Sequence, residues 1–211
     1  MQYRHHRNGG LILMSTDTLR SVIRAEGEEL IKLSEKVHLD ELVKLSDMIS
    51  SCRGNVFFTG CGTSAVAARK AIHTLQVIGV RAFFLEPSDA VHGGLGAVHK
   101  GDIVIFLSKG GVTQELLSFI PNLQKKQTTI VSVGEAAHSP ISEAADLFLE
   151  VQIDREPDTY NMLATASTLA TMSVFDAIAI NIMQENHYSR EQFLINHPSG
   201  DVGARLAAGH A

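Results

Sequence analysis

Asp102–Ile120, DIVIFLSKGGVTQELLSFI, is the stretch that decides the fold. Ile103 to Leu107 is an unbroken apolar run rich in β-branched and aromatic residues, the pattern of a strand covered on both faces of a parallel sheet. Ser108-Lys109-Gly110-Gly111 is a tight turn. Beyond it Leu116, Leu117 and Ile120 recur at helical spacing, which predicts a helix over 113–127 with Thr113 as its N-cap. A strand that breaks at glycines straight into a helix leaves backbone N–H groups pointing past its carboxyl end, and the helix dipole favours an anion there. Ser108 and Thr113 add hydroxyls, and Lys109 adds a positive charge. The Gly-Gly pair also suits a plain α/β turn, and this turn alone does not separate the two readings.

Around this stretch, apolar runs at 55–59, 82–85, 129–133 and 147–151 read as further strands, with helices at 64–78 and 139–145 between them. Five short strands separated by helices predict an α/β three-layer sandwich: a five-stranded parallel sheet, flanked by helices, with right-handed crossovers. Residues 17–51 read as two helices ahead of the first strand, packed outside the sheet or against a partner chain. Residues 163–184 form one long helix of small and apolar residues, expected to be buried centrally or between subunits. A short amphipathic piece, 189–195, leads into the turn His197-Pro198-Ser199-Gly200-Asp201.

The chain has 211 residues, 45% of them apolar, which suits one domain with a real core. Residues 1–14 read as a disordered or extraneous leader and 15–211 as the single domain. A net charge of −5 with no basic run argues against a nucleic-acid surface. No apolar stretch reads as a bilayer span. The two cysteines, Cys52 and Cys61, have no metal-like spacing and are too few for a disulfide framework, so a reducing cytoplasm fits.

The first strand ends in Gly60-Cys61-Gly62-Thr63-Ser64, a second glycine-hydroxyl turn at a strand's carboxyl end. It mimics the dinucleotide fingerprint G-x-G-x-x-G/A, with Ala65 in the last place and Glu86 ending the next strand. A second phosphate-type turn after Leu107 counts against that reading, because a simple dinucleotide fold has no need of one. Cys61 reads as a small buried filler or as a thiol whose pKa a helix N-terminus depresses. His92 lies in the glycine-flanked loop EPSDAVHGGLG, at the sheet edge where open α/β folds bind ligands. Histidine is also the side chain most easily poised to move protons near neutral pH.

Taken in order, GCGTS, EPSDAVHGGLG, IFLSKGGVTQE, TASTLATMSVFDAIAINIM and HPSGDVGARL resemble the sugar isomerase (SIS) domain, and within it the D-arabinose 5-phosphate isomerases. The resemblance runs from about Asn55 to Leu206. It implies a phosphosugar ligand and a homotetramer, with no metal or organic cofactor. The phosphate would be held by Ser64, Ser108 and Thr113, with Ser167 or Thr168, and Gly62, Thr63, Lys109, Gly110 and Gly111 would complete the substrate-binding turns. His92, Glu156 and His197 would supply the acid–base chemistry, His197 by entering a neighbouring subunit's site. The reaction implied interconverts D-ribulose 5-phosphate and D-arabinose 5-phosphate through an enediol(ate). A non-catalytic phosphosugar sensor is the alternative.

Those isomerases usually carry a tandem CBS module beyond this point, and ending at Ala211 reads as a stand-alone domain. The chain departs from the pattern in two turns. Thr63 replaces the lysine of G-x-G-K-S. In S-N-S-G-E, Lys109, Gly110 and Val112 replace the asparagine, the second serine and the glutamate. Lys109 could return a positive charge from a different place. In the charged loop 154–158, Arg155 could face a phosphate or a sugar hydroxyl, whereas Asp158 reads as part of a solvated turn.

Overall fold

The computed structural model describes residues 6–7, 10–11 and 16–200. Most of the expected leader, and the end of the HPSGDVGARL segment, lie outside the described residues. His6–Arg7 and Gly10–Leu11 pair as a two-residue antiparallel ladder.

The strands are β1 (Val56–Gly60), β2 (Ala82–Phe84), β3 (Ile103–Leu107), β4 (Thr129–Gly134) and β5 (Leu147–Glu150). All pairings are parallel, in the order β2-β1-β3-β4-β5. This is the α/β sheet expected, and its order reverses between β1 and β3, where open sheets of this kind form a ligand crevice.

Period-two alternation divides the core into two faces. Phe58, Ile105, Leu107, Val131, Val133 and Leu149 point into one layer. Phe57, Val104, Phe106 and Ile130 point into the other. The first layer holds α1 (Thr16–Lys36), α2 (Leu39–Ser51), α3 (Thr63–Val77) and α8 (Ala166–Glu185). The second holds α4 (Pro87–Ala90), a 3-10 turn at Gly94–Ala97, α5 (Gln114–Leu117), α6 (Ile120–Lys126) and α7 (Pro140–Glu143). Helix α9 (Arg190–Asn196) follows α8. Aromatic pairs join sheet to helices on both sides: Phe58 meets Phe175 edge-on at 5.0 Å, and Phe106 stacks on Phe119 at 5.5 Å.

The helix expected over 113–127 is two helices. Phe119 leaves helical geometry (φ −115°, ψ 1°), and Pro121 sits in the first turn of α6. Proline has no N–H to donate, and its ring would collide with the carbonyl of Leu117 in a continuous helix. The chain restarts instead, and α6 ends on Gln127 in the left-handed region.

Helix α8 corrects the composition-based reading that excluded any membrane span. By length and composition it is apolar enough to cross a bilayer. It serves here as a core helix. Ala166, Ala170, Val174, Phe175, Ile178 and Ile182 are buried, and Ala67, Ala68 and Ala71 of α3 belong to the same apolar cluster. Two of its polar residues have partners in neighbouring helices: Asp176 pairs with Lys70, and Asn181 donates to Ser46 at 3.0 Å.

Asp102, the first residue of the opening stretch, is buried. Its carboxylate accepts the amides of Asn55 and His99, both at 2.7 Å. That ties the entry of β3 to the entry of β1 and so sets the height at which both strands end.

Candidate active site

A small cleft of about 80 Å³ opens at the carboxyl ends of β1, β3, β4 and β5, beside the N-terminus of α8. Each strand delivers a short turn to it.

β1 delivers Gly62, whose φ of +58° a side chain would resist, and α3 then begins at Thr63. Thr63 and Ser64 therefore face the cleft from the first turn of a 15-residue helix. β3 delivers Ser108 and Lys109 to the cleft. Ser108 Oγ accepts the Gly111 amide at 3.2 Å and lies 3.2 Å from Thr113 Oγ1. Thr113 does precede α5, but its hydroxyl faces Ser108 rather than capping that helix by a side-chain hydrogen bond.

β4 delivers Gly134 and Glu135. A Cβ at Gly134 would stand 2.1 Å from the carbonyl oxygen of Ser108, so only glycine lets the two strand ends approach. The Glu135 amide donates to the Lys109 carbonyl at 2.9 Å. Lys109 Nζ lies 3.4 Å from Glu135 Oε1 and 3.5 Å from Glu156 Oε1.

β5 leads into the loop before α8. Glu156 there is 1% exposed. Its carboxylate accepts the Thr165 amide at 3.1 Å, the Ser167 amide at 3.4 Å and the Ser167 hydroxyl, so it caps α8 from a distance. Burial alone would raise its pKa. Those hydrogen bonds and the charge of Lys109 more than offset burial and hold it below the ordinary glutamate range. Glu135 goes the other way: burial raises its pKa, and Lys109 only partly opposes the shift.

Of the residues proposed from sequence, the structure brings Thr63, Ser64, Ser108, Lys109, Ser167 and Thr168 to the cleft. Gly111 and Thr113 sit behind Ser108, and Gly62 and Gly110 shape the turns. Glu156 lies behind Ser167. His92 is exposed in the turn after α4. His197 stacks on Phe193, ring centroids 6.0 Å apart, beside an apolar groove lined by Val77, Ile180 and Met183. Neither imidazole faces the cleft of its own chain.

Glu135 is the cleft residue that sequence reasoning missed. The signal was present, because Val133-Gly134-Glu135 ends a strand at a glycine just as Leu107-Ser108 and Thr59-Gly60 end theirs at ligand-type turns.

Other local readings resolve as follows. Cys61 packs against the second core layer, and burial, then Glu115 and Glu86, raise its thiol pKa rather than depressing it. Glu86 pairs with Arg69 at 3.1 Å, which engages the carboxylate that a dinucleotide ribose would need. Arg155 Nε donates to the Glu156 carbonyl at 3.4 Å, outside the cleft. Asp158 organises its own turn, accepting the amides of Tyr160, Met162 and Leu163. Among the described residues no group of three or more His, Cys, Asp or Glu side chains is placed to hold a metal ion.

Residues 48–181 match the SIS domain, and the chain belongs to that family. It is 34% identical over 187 residues to the arabinose 5-phosphate isomerase GutQ of Salmonella typhi, covering 89% of this chain and 58% of that protein. The chain thus spans about three-fifths of that curated relative's length. Among solved structures it is similar to a Listeria monocytogenes protein described provisionally as a sugar-phosphate isomerase. That likeness has 43% identity and a TM-score of 0.85, over 87% of this chain and 96% of that one. The c3406 protein of Escherichia coli CFT073, solved in complex with arabinose 5-phosphate, is 32% identical with a TM-score of 0.80, over 88% and 100% of the two chains.

Proposed function

We propose that this chain is a phosphosugar aldose–ketose isomerase that interconverts D-ribulose 5-phosphate and D-arabinose 5-phosphate. The observation that carries the reading is the convergence of the Ser64 turn, the Ser108 turn and the N-terminus of α8 on one cleft at the β1/β3 reversal. Hydroxyls and helix N-termini are suited to a phosphate dianion. The kinship with arabinose 5-phosphate isomerases supports the sugar half of the reading.

Chemically, a base removes the proton beside the carbonyl. The enediolate that forms needs a nearby cation or donors, and the proton returns to the adjacent carbon. The cleft offers the Glu135 carboxylate and the Lys109 ammonium for these tasks, with Glu156 behind Ser167. His92 and His197 face away from the cleft of their own chain. Their part in the reaction therefore requires a second copy, which fits a homotetramer as the working form. A cytoplasmic setting suits the two free cysteines.

The test is incubation with D-ribulose 5-phosphate, following the appearance of D-arabinose 5-phosphate. Steady conversion is expected. Thr63 and Val112, standing where the family carries lysine and glutamate, favour a second reading as a phosphosugar sensor. Binding of sugar phosphates, seen as a raised melting temperature, with no conversion would select the sensor. A rise with NAD and none with sugar phosphates would overturn both.

A further inference from the structure

We infer that Glu135 is the carboxylate that carries the proton in this cleft, that Lys109 is the cation facing the developing oxyanion, and that Glu156 is a positioning residue. The inference rests on the isomerase reading above and names the groups that would perform it.

Placement is the first argument. Glu135 and Lys109 line the cleft beside Ser64, Ser108 and Ser167. Glu156, by contrast, is tied to the inner side of Ser167. Availability is the second. Glu156 receives two backbone amides and a hydroxyl, so its acceptor sites are engaged. Glu135 Oε1 is buried, makes no hydrogen bond and is held by its ion pair with Lys109 Nζ at 3.4 Å. That leaves this carboxylate with acceptor capacity for a proton or a ligand. Rigidity is the third argument. The 2.9 Å bond from the Glu135 amide to the Lys109 carbonyl holds the two side chains on adjacent strand ends.

The electrostatics agree with the placement. Burial raises the pKa of Glu135, whereas hydrogen bonds and Lys109 hold that of Glu156 below the ordinary range. Two carboxyls pushed apart in this way suit two different tasks, and a proton carrier works best with a pKa near the operating pH. Lys109 and Glu135 also restore to the cleft, from β3 and β4, the cation and carboxylate that Thr63 and Val112 lack.

The step balances within the substrate and this one side chain. Ionised Glu135 takes the proton from the carbon beside the carbonyl. That C–H bond breaks, and its electron pair becomes the C=C bond of the enediolate. The carbonyl π pair moves onto oxygen, opposite the Lys109 ammonium. The neighbouring hydroxyl proton passes to that oxygen. The C=C pair then takes the proton back from Glu135 at the adjacent carbon, while the second oxygen closes the new carbonyl.

The experiment compares the unaltered chain with Glu135→Gln and Glu156→Gln, using D-ribulose 5-phosphate in D2O. Turnover, deuterium entry at carbon, the pH profile of kcat/KM and the ligand-induced rise in melting temperature are read together. Glu135→Gln is expected to lower kcat at least about 100-fold, abolish deuterium entry and the acid limb of the profile, and keep the melting-temperature rise. Glu156→Gln is expected to keep the acid limb, displaced towards lower pH because the Glu156 charge helps to raise the Glu135 pKa.

Turnover by Glu135→Gln within threefold of an active unaltered chain would overturn this inference alone. An unaltered chain that binds sugar phosphate but neither turns it over nor exchanges deuterium would overturn the isomerase reading, and this inference with it. Should Glu135→Gln fail to fold, Glu135→Asp decides. A carboxylate carrier then keeps the acid limb at reduced kcat, and an unchanged kcat overturns the inference.

Discussion

The amide of Thr165 donates to the carboxylate of Glu156 at 3.1 Å, so α8 is capped by a residue nine positions upstream of Thr165 and not by Thr165 itself. The loop between them is thereby closed onto the helix that borders the cleft. Glu156→Gln removes the charge from this cap and weakens its hydrogen bonds. The expected cost is about 2–3 kcal/mol, read by urea unfolding at pH 7. The folded pKa lies below the ordinary value, so this stability is present above the ordinary glutamate range. It is lost as pH falls through the folded value. The variant should therefore lose stability less steeply on acidification than the unaltered chain. Equal acid slopes would remove Glu156 from the cap.

Glu135 has the opposite sign. Its folded pKa is raised, so the folded state binds the proton more tightly than the unfolded chain does. Stability from this group is greatest below the ordinary glutamate range and declines as pH rises through the folded value. Glu135→Gln should thus gain melting temperature relative to the unaltered chain between pH 4 and pH 7, measured by calorimetry in ligand-free buffer. A constant difference across that range would contradict the raised pKa.

Ser108 is held from both sides, accepting the Gly111 amide and facing the Thr113 hydroxyl. Ser108→Ala should weaken inorganic phosphate and every sugar phosphate by a similar factor, about tenfold or more, as loss of a charge-assisted hydrogen bond of roughly 1.5–3 kcal/mol predicts. Calorimetric titration of phosphate, ribulose 5-phosphate and arabinose 5-phosphate checks it. A loss confined to one sugar would place Ser108 at the carbons instead of the phosphate.

Two glycines give a paired stability test. Gly27 is in α1, where a side-chain Cβ would meet nothing within 4 Å. Gly27→Ala should stabilise the fold by about 0.5–1 kcal/mol, because alanine is the better helix former. At Gly134 a Cβ would stand 2.1 Å from the Ser108 carbonyl oxygen. Gly134→Ala should destabilise by at least about 2 kcal/mol and weaken phosphate binding, because a backbone atom has to move. Denaturant midpoints at constant m-value measure both. A neutral Gly134→Ala would mean that β4 and the Ser108 turn can separate freely.

The strands were legible as short apolar runs: Val56–Gly60 and Ile103–Leu107 are buried throughout, and only the edge strand Ala82–Phe84 leaves a large apolar residue, Phe83, exposed. The glycine–hydroxyl turns at the cleft were legible for a local reason, since glycines and hydroxyls follow a strand within a few residues. The break of the 113–127 helix was also written in Pro121, but helical periodicity continues across it and hides the restart. Glu135 stayed hidden because a single glutamate after a strand has no periodicity. Its meaning comes from Lys109, 26 positions earlier, which topology places 3.4 Å away. Capping of α8 by Glu156 was obscured in the same way. The helix contains Thr and Ser residues at its start that look like sufficient caps, yet Thr165 makes no side-chain cap bond.

His197 is the remaining test of whether copies of the chain share a site. Its ring stacks on Phe193 beside the apolar groove of α3, α8 and α9, and not in the cleft. A histidine so placed can take part in catalysis only at the cleft of another copy. His197→Ala should therefore lower turnover at least about tenfold while leaving phosphate binding intact, because acid–base groups act on rate. Mixing it with Glu135→Gln, each impaired in its own way, should raise turnover above the sum of the two variants alone. Mixed oligomers would contain sites in which one chain supplies Glu135 and another supplies His197. Turnover per chain of the unaltered protein should also fall on dilution, as oligomers separate. No recovery on mixing, together with turnover independent of concentration, would confine the chemistry to a single chain and leave His197 as a packing residue.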